Sequence, residues 1–215
     1  MDLRTLVQNT PARGGNSTWV AARSTPDGAQ YVAPWQAALA IEGRLFGSNH
    51  GVLTTPLTFL VYAANRPDAW VRVPDATAIF PLSVAVILED AAGTDTEVRV
   101  SIAQNDIGNG TSTASTGPLN LRTDAPVTSN CVVRHLATGD TTAETNPFEI
   151  YRAEYGTAEA ASTGPQAIWT ADKAGFYPLI IGAGSLIVYV AATTTQATGF
   201  VQCVWAEFTE SSLAV

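Results

Sequence analysis

The sequence predicts an all-β protein, built as an antiparallel sandwich, a jelly roll or a closed barrel. Three observations predict it. Two stretches of period-two apolar alternation, at 80–88 and 98–102, flank a Gly-containing turn. Roughly eight to ten runs of strand-forming residues are separated by turn-forming clusters, the spacing of a sandwich or barrel. No strand–helix alternation of the parallel α/β kind is visible, and no internal repeat of fixed period.

Residues 1–33 contain Pro11, Gly14, Gly15, Pro26 and Gly28 with few large apolar side chains, and read as an extended N-terminal arm. Trp19 and Tyr31 within it, and Trp35 just beyond it, are the candidate interaction residues. They are aromatic anchors for the arm, either on its own domain or on another subunit. A single sandwich domain is expected over 34–209, with a short tail at 210–215. Residues 34–46 open with Pro34 and support two readings, a short helix or a strand from Leu39 to Phe46.

Leu57–Ala63 and Trp70–Val73 read as strands, the second closed by Pro74. In Phe80–Leu88, Phe80, Leu82, Val84, Val86 and Leu88 fall on one face; Val98, Val100 and Ile102 do the same beyond the turn at Asp90–Asp95. Together they predict a hairpin with one buried face. Residues 105–126 read as a long surface loop. Cys131–Leu136, Pro147–Tyr155, Ile168–Trp169 and Tyr177–Ile181 read as further strands. Leu186–Ala192 and Phe200–Phe208 are apolar on both faces, as in strands covered on each side, and Thr193–Gly199 joins them.

The 215 residues suit one large domain with its own core. Charged residues are 14% of the chain, against ~25% in an average soluble domain. Low charge reduces repulsion and desolvation cost between copies. The net charge is −8, the ten arginines are scattered and Lys173 is the one lysine. That excludes a basic groove for nucleic acid and a polybasic membrane contact. Met1–Val7 lacks the apolar core of a signal peptide, and the apolar runs are too short to span a bilayer. A soluble protein made in the cytoplasm is expected. Cys131 and Cys203 are expected as buried free thiols.

No motif for catalysis, metal or cofactor stands out. His50 lies in Gly47-Ser48-Asn49-His50-Gly51, which reads as a turn, and His135 lies in a strand beside Arg134. Neither has a ligand companion at metal-binding spacing. There is no nucleophile elbow, phosphate loop or CxxC. Asp90, Asp95 and Glu97 read as a solvated turn rather than a Ca²⁺ loop. Glu149 and Glu154 fall on opposite strand faces by parity, and Glu207 reads as a rim residue beyond Trp205. The protein is therefore expected not to be an enzyme. The binding candidates are the tryptophans, Trp19, Trp35, Trp70, Trp169 and Trp205, as a sugar-stacking platform or as core and interface anchors.

The lightly charged Ala/Thr/Gly-rich strands, the arm at 1–33 and the closing strands Leu186–Ala192 and Phe200–Phe208 resemble small jelly-roll structural proteins of viruses, bacteriophages especially. These include capsid decoration or cement proteins, head-fibre bases and shell subunits. The resemblance implies an antiparallel sandwich of jelly-roll type and a non-enzymatic place in the virion. It also implies contacts with copies of itself, a homotrimer favoured, and with other capsid proteins. Shells that package RNA tend to have a basic arm, whereas this one carries Arg4, Arg13 and Arg23 alone. That departure favours an outer decorating role. The scattered tryptophans motivate a second reading, a carbohydrate-binding sandwich module, free or on a phage tail.

Overall fold

The computed structural model describes residues 4–7, 18–21, 34–52, 54–90, 95–155, 166–192 and 196–213. The strands are β1 (Arg4–Val7), β2 (Thr18–Ala21), β3 (Leu45–His50), β4 (Leu57–Thr58), β5 (Ala69–Val73), β6 (Thr77–Asp90), β7 (Thr96–Ala103), β8 (Thr113–Ala114), β9 (Thr116–Asn120), β10 (Val132–His135), β11 (Phe148–Tyr155), β12 (Gln166–Thr170), β13 (Ile180–Ile181), β14 (Gly184–Ala192) and β15 (Thr198–Thr209). Among the described residues the α-helices are α1 (Trp35–Ile41) and α2 (Ala171–Ala174), both short. Within the stretch read as an arm, β1 and β2 pair antiparallel, from Arg4↔Ala21 to Val7↔Thr18.

The rest is an all-β antiparallel sandwich. One sheet runs β11-β7-β14-β5-β10-β8; the other runs β12-β6-β15-β3-β9, with β13 on β6 and β4 on β15. Eight main strands pair in a nested series, first with last and so inward. β3 pairs β15, β5 pairs β14, β6 pairs β12 and β7 pairs β11. The two ladders β6–β15 and β7–β14 then join these pairs into sheets. Between the sheets lies one core, including Phe46, Val71, Val84, Val86, Val98, Val188, Val201 and Trp205. Each such side chain contributes roughly 1.5–3 kcal/mol by leaving water.

The expected hairpin of 80–88 with 98–102 does not form. β6 and β7 lie in different sheets and face each other across the core. Alternation reports one buried face, and two strands on opposite sides of a core satisfy it as well as two neighbours do. The single face assigned to Phe80–Leu88 also breaks. Val84, Val86 and Leu88 are buried, but the register shifts opposite Val204/Trp205, so that Ile79 and Pro81 turn inward. Phe80 and Leu82 are left partly exposed, with Phe80 edge-on to Phe208 at 5.6 Å. This is the parity change a β-bulge imposes.

Other boundaries shift as well. Of the two readings of 34–46 the helix is realised, as α1; of the rival strand from Leu39 to Phe46 only Leu45 and Phe46 are strand, as the start of β3. The loop at 105–126 contains β8 and β9, which extend the edges of the two sheets. Of Leu57–Ala63 only Leu57–Thr58 is a strand, and of Tyr177–Ile181 only Ile180–Ile181. Cys131 and Cys203 are buried and free, as expected. Among the described residues, no helix is long and apolar enough to cross a membrane.

The long connection between β7 and β11 packs over the outer side of the six-stranded sheet. There it builds a second apolar cluster from Trp70, Ala103, Ile107, Ala137, Ile187 and Tyr189. Trp70 is fully buried and donates Nε1–H to the Gly108 carbonyl at 3.1 Å. Arg72 forks onto Asp106 to tie the same connection down. β14 is consequently buried from Gly184 to Val190, which explains its two-sided apolar sequence.

Gly199 marks the tightest approach of β15 to β6. A Cβ there would stand 2.2 Å from the Ile87 carbonyl oxygen, a backbone atom that cannot swing away. Gly199→Ala should therefore push the two longest strands apart and cost about 1–3 kcal/mol, read as a lowered urea midpoint.

Candidate functional site

A cleft of about 840 Å³ lies on the outer face of the six-stranded sheet. Glu97 and Arg99 reach it from β7, Arg152 and Glu154 from β11, and Tyr189 from β14, with Tyr62 at its margin. A bulge shapes the β11 contribution. The register shifts between Glu149 and Tyr151, so Glu149, Arg152 and Glu154 are all exposed while Tyr151, Ala153 and Tyr155 pack toward the core. The expected placement of Glu149 and Glu154 on opposite faces is thereby overturned, because one extra residue resets strand parity.

Ion pairs fix the floor. Arg152 binds Glu149 through Nε at 2.9 Å and Nη2 at 2.7 Å, and Glu97 through Nη1 at 2.7 Å. The Arg152 hydrogen bonds hold the Glu149 carboxyl below its usual range. Arg99 donates to Glu144 Oε2 at 3.1 Å and lies 5.5 Å from the Tyr189 ring centre. The Tyr189 hydroxyl, 2.6 Å from Glu144 Oε1, is held protonated first by burial and then by that carboxylate. Tyr62 stands edge-on to Tyr189 at 5.6 Å and is 48% exposed. An open aromatic ring beside alternating guanidinium and carboxylate groups suits a hydroxyl-rich ligand.

A second constellation lies between the sheets. Ser115 sits where the chain passes from β8 to β9, hence from one sheet to the other. Its hydroxyl is 2.6 Å from His50 Nδ1 and 2.8 Å from His135 Nδ1, and the two rings meet edge-on at 5.9 Å. His50 Nε2 is 3.1 Å from Ser48 Oγ. Ser115 has one proton to give. It donates to one imidazole and accepts from the other, which fixes opposite tautomers on the neutral pair. His50 is therefore no turn residue but a buried strand residue of β3. Burial, and then His135, push it down to about 3. His135 is lowered by burial and by Arg134.

The predicted candidates do not come together. Trp19 lies in β2 and its side chain, like all of Tyr31, falls outside the described residues. Trp35, 41% exposed, packs edge-on against Tyr177 at 5.4 Å. Trp70, Trp169 and Trp205 are buried, so they are core anchors and form no sugar platform. Glu207 is buried rather than a rim group, and accepts from Ser129 Oγ and from the Asn130 amide at 2.8 Å. Asp95 and Glu97 belong to the cleft. Sequence reasoning missed Tyr62, Arg99, Arg152 and Tyr189, because strand parity without partner identity cannot gather them. Ser115 had no signal in the sequence at all. No protein-family model matches the chain, and no curated protein is similar to it in sequence.

Two pH effects of opposite sign follow. The folded pKa of His50 lies below its unfolded value of 6.5, so the unfolded chain binds the extra proton as pH falls. Stability is full above about pH 7 and declines toward pH 3. Asp68 accepts amide hydrogens from Leu60 at 2.7 Å and Val190 at 2.8 Å, yet burial pushes it up to about 7. Its contribution is present at low pH and lost as pH rises through 7. Comparing the wild type with His50→Gln cancels the Asp68 effect. Urea titrations at pH 7.5 and 4.5 should show the wild type losing roughly 2–3 kcal/mol more than the variant between them.

Proposed function

We propose that this chain is a non-enzymatic structural subunit of a virion, assembling through contacts with copies of itself and with other capsid proteins. What supports this is the strand order of the sandwich, which we read as a jelly roll. First-with-last pairing of eight strands, in four nested couples, is the double Greek key of that architecture. Jelly rolls serve both shells and sugar-binding modules, so strand order alone does not choose between them. The observation that supports the assembly reading is the contrast between the two outer faces.

One outer face bears Arg72, Arg99, Glu97, Glu149, Arg152 and Glu154, each in an ion pair or at the cleft. On the other, the outward residues of β6 from Ser83 to Ile87, of β15 from Phe200 to Val204 and of β12 carry no charge. A solvent-facing antiparallel sheet ordinarily alternates apolar with charged or polar residues. An uncharged patch of this kind, with Glu89 exposed only at its end, suits an assembling surface on a chain of net charge −8, since the buried centre of an interface is depleted in charge. Size-exclusion chromatography with light scattering at about 50 μM, a concentration suited to micromolar association, should return a multiple of the 22.5 kDa chain mass. A monodisperse monomer would overturn the reading.

The cleft favours the second reading, carbohydrate binding, because Tyr62 offers a half-open ring beside Arg152 and Glu154. A glycan array scores it directly. Binding that disappears in Tyr62→Ala while the fold persists would establish it, and an array without signal would remove it.

A further inference from the structure

We propose that the neutral outer face of the β12-β6-β15-β3-β9 sheet packs on the same face of a second copy of this chain, about a two-fold axis. The proposal rests on the assembly reading above and adds which surface meets which. Val84, Val86, Val201, Cys203, Ala167 and Trp169 point into the core, so their neighbours in sequence point out. Register then lays the outward residues side by side: Ile168 opposite Ala85, Gln202 opposite Ala85, Phe200 opposite Ile87, and Val204 opposite Ser83. β3 and β9 continue the row with Gly47 beside Val204 and Leu119 beside Gly47. Ile87, Ile168 and Leu119 are 37%, 44% and 51% exposed.

Charge decides the occupant. Burying this face against the opposite side of another copy would strip water from Arg152, Glu149 and their neighbours without offering them partners. A two-fold contact of the uncharged patch with itself strips none there; Glu89, exposed at the end of β6, lies beyond the Ser83–Ile87 stretch that forms the patch. Such a contact also spares the repulsion that a charged position close to the two-fold axis would meet from its own twin. The sheet offers enough surface. Five strands about 4.8 Å apart and six residues deep span roughly 24 by 20 Å. Corrugation raises that to on the order of 700 Å² per copy, close to the ~800 Å² per partner of a stable complex. Sheet-on-sheet packing is itself a standard arrangement for twisted antiparallel sheets.

The test places charge on the face without touching the core. Ile87→Glu and Ile168→Glu, combined in one chain, alter outward side chains that are already partly wet. Light scattering of the full chain should give an even-numbered assembly, and the double variant should dissociate with affinity weakened at least ~100-fold, its far-UV circular dichroism unchanged. A wild-type trimer, or a variant that stays assembled, would overturn this contact and leave the assembly reading standing. A wild-type monomer would overturn both. Should the double variant misfold, Gln202→Cys decides. Gln202 is exposed at the middle of the face, whereas Cys131 and Cys203 are buried. With the two-fold axis through the middle of the face, where Gln202 lies, the new thiols come near each other, so oxidation should trap a covalent dimer, and failure to cross-link would count as refutation.

Discussion

β6 and β15 pair along twelve residue couples, from Thr77↔Thr209 to Asp90↔Thr198, and the remaining strands are arranged around that ladder. β15 closes the chain against β3, the first strand of the sandwich, on its other edge. β6 receives β12 and β13 on its own far side. A sheet assembled in this way depends on contacts of very large sequence separation, because β3 and β15 come from opposite ends of the domain. The chain must close those loops before their pairing repays the entropy. The core then holds the two sheets in register, since a one-residue slip along β15 would turn Val201, Cys203 and Trp205 outward.

The long connection between β7 and β11 does two separate jobs by the same physical means. By covering Trp70, Ile187 and Tyr189 it gives the six-stranded sheet an apolar layer on both sides. By carrying Ser115 from β8 to β9 it also spans the edge of the sandwich, with β8 on one sheet and β9 on the other. A buried polar link at that crossing needs every donor and acceptor matched. The Ser48–His50–Ser115–His135 series can match its hydrogen bonds, but among the described residues no carboxylate contacts His50, so an imidazolium there would be a buried charge without a counter-ion.

Sequence reading reached the fold class and most strands because the signal it uses, alternation over five or more residues, was present in Phe80–Leu88, Glu97–Ile102 and Pro147–Tyr155. It failed where information was not local. Gly47-Ser48-Asn49-His50-Gly51 has the composition of a turn, yet Gly47 to His50 form the end of a strand buried by β15 and β9. Tertiary packing outweighs β-propensity in such a case. Parity extrapolated through Leu82 and through Ile150 went wrong at both, because each strand takes an extra residue there. The site residues were the least legible. Arg99 and Arg152 look alike in sequence to the other arginines, and only the β7–β11 ladder, where they are direct partners, makes them a pair.

That ladder also explains why two arginines can sit side by side. Arg99 and Arg152 oppose each other across β7 and β11, an arrangement that is repulsive by itself. Glu149 reaches both, at 3.6 Å from Arg99 and 2.7 Å from Arg152, while Glu144 and Glu97 take the outer flanks. Glu149 can do so only because the bulge at Ile150 returns it to the outward side. Without that extra residue the carboxylate would point toward the core and the two guanidinium groups would face each other without a bridging anion. The bulge, the charge network and the cleft are therefore one feature, and its cost in ladder regularity is confined to the edge strand β11, where pairing on the free side is not required.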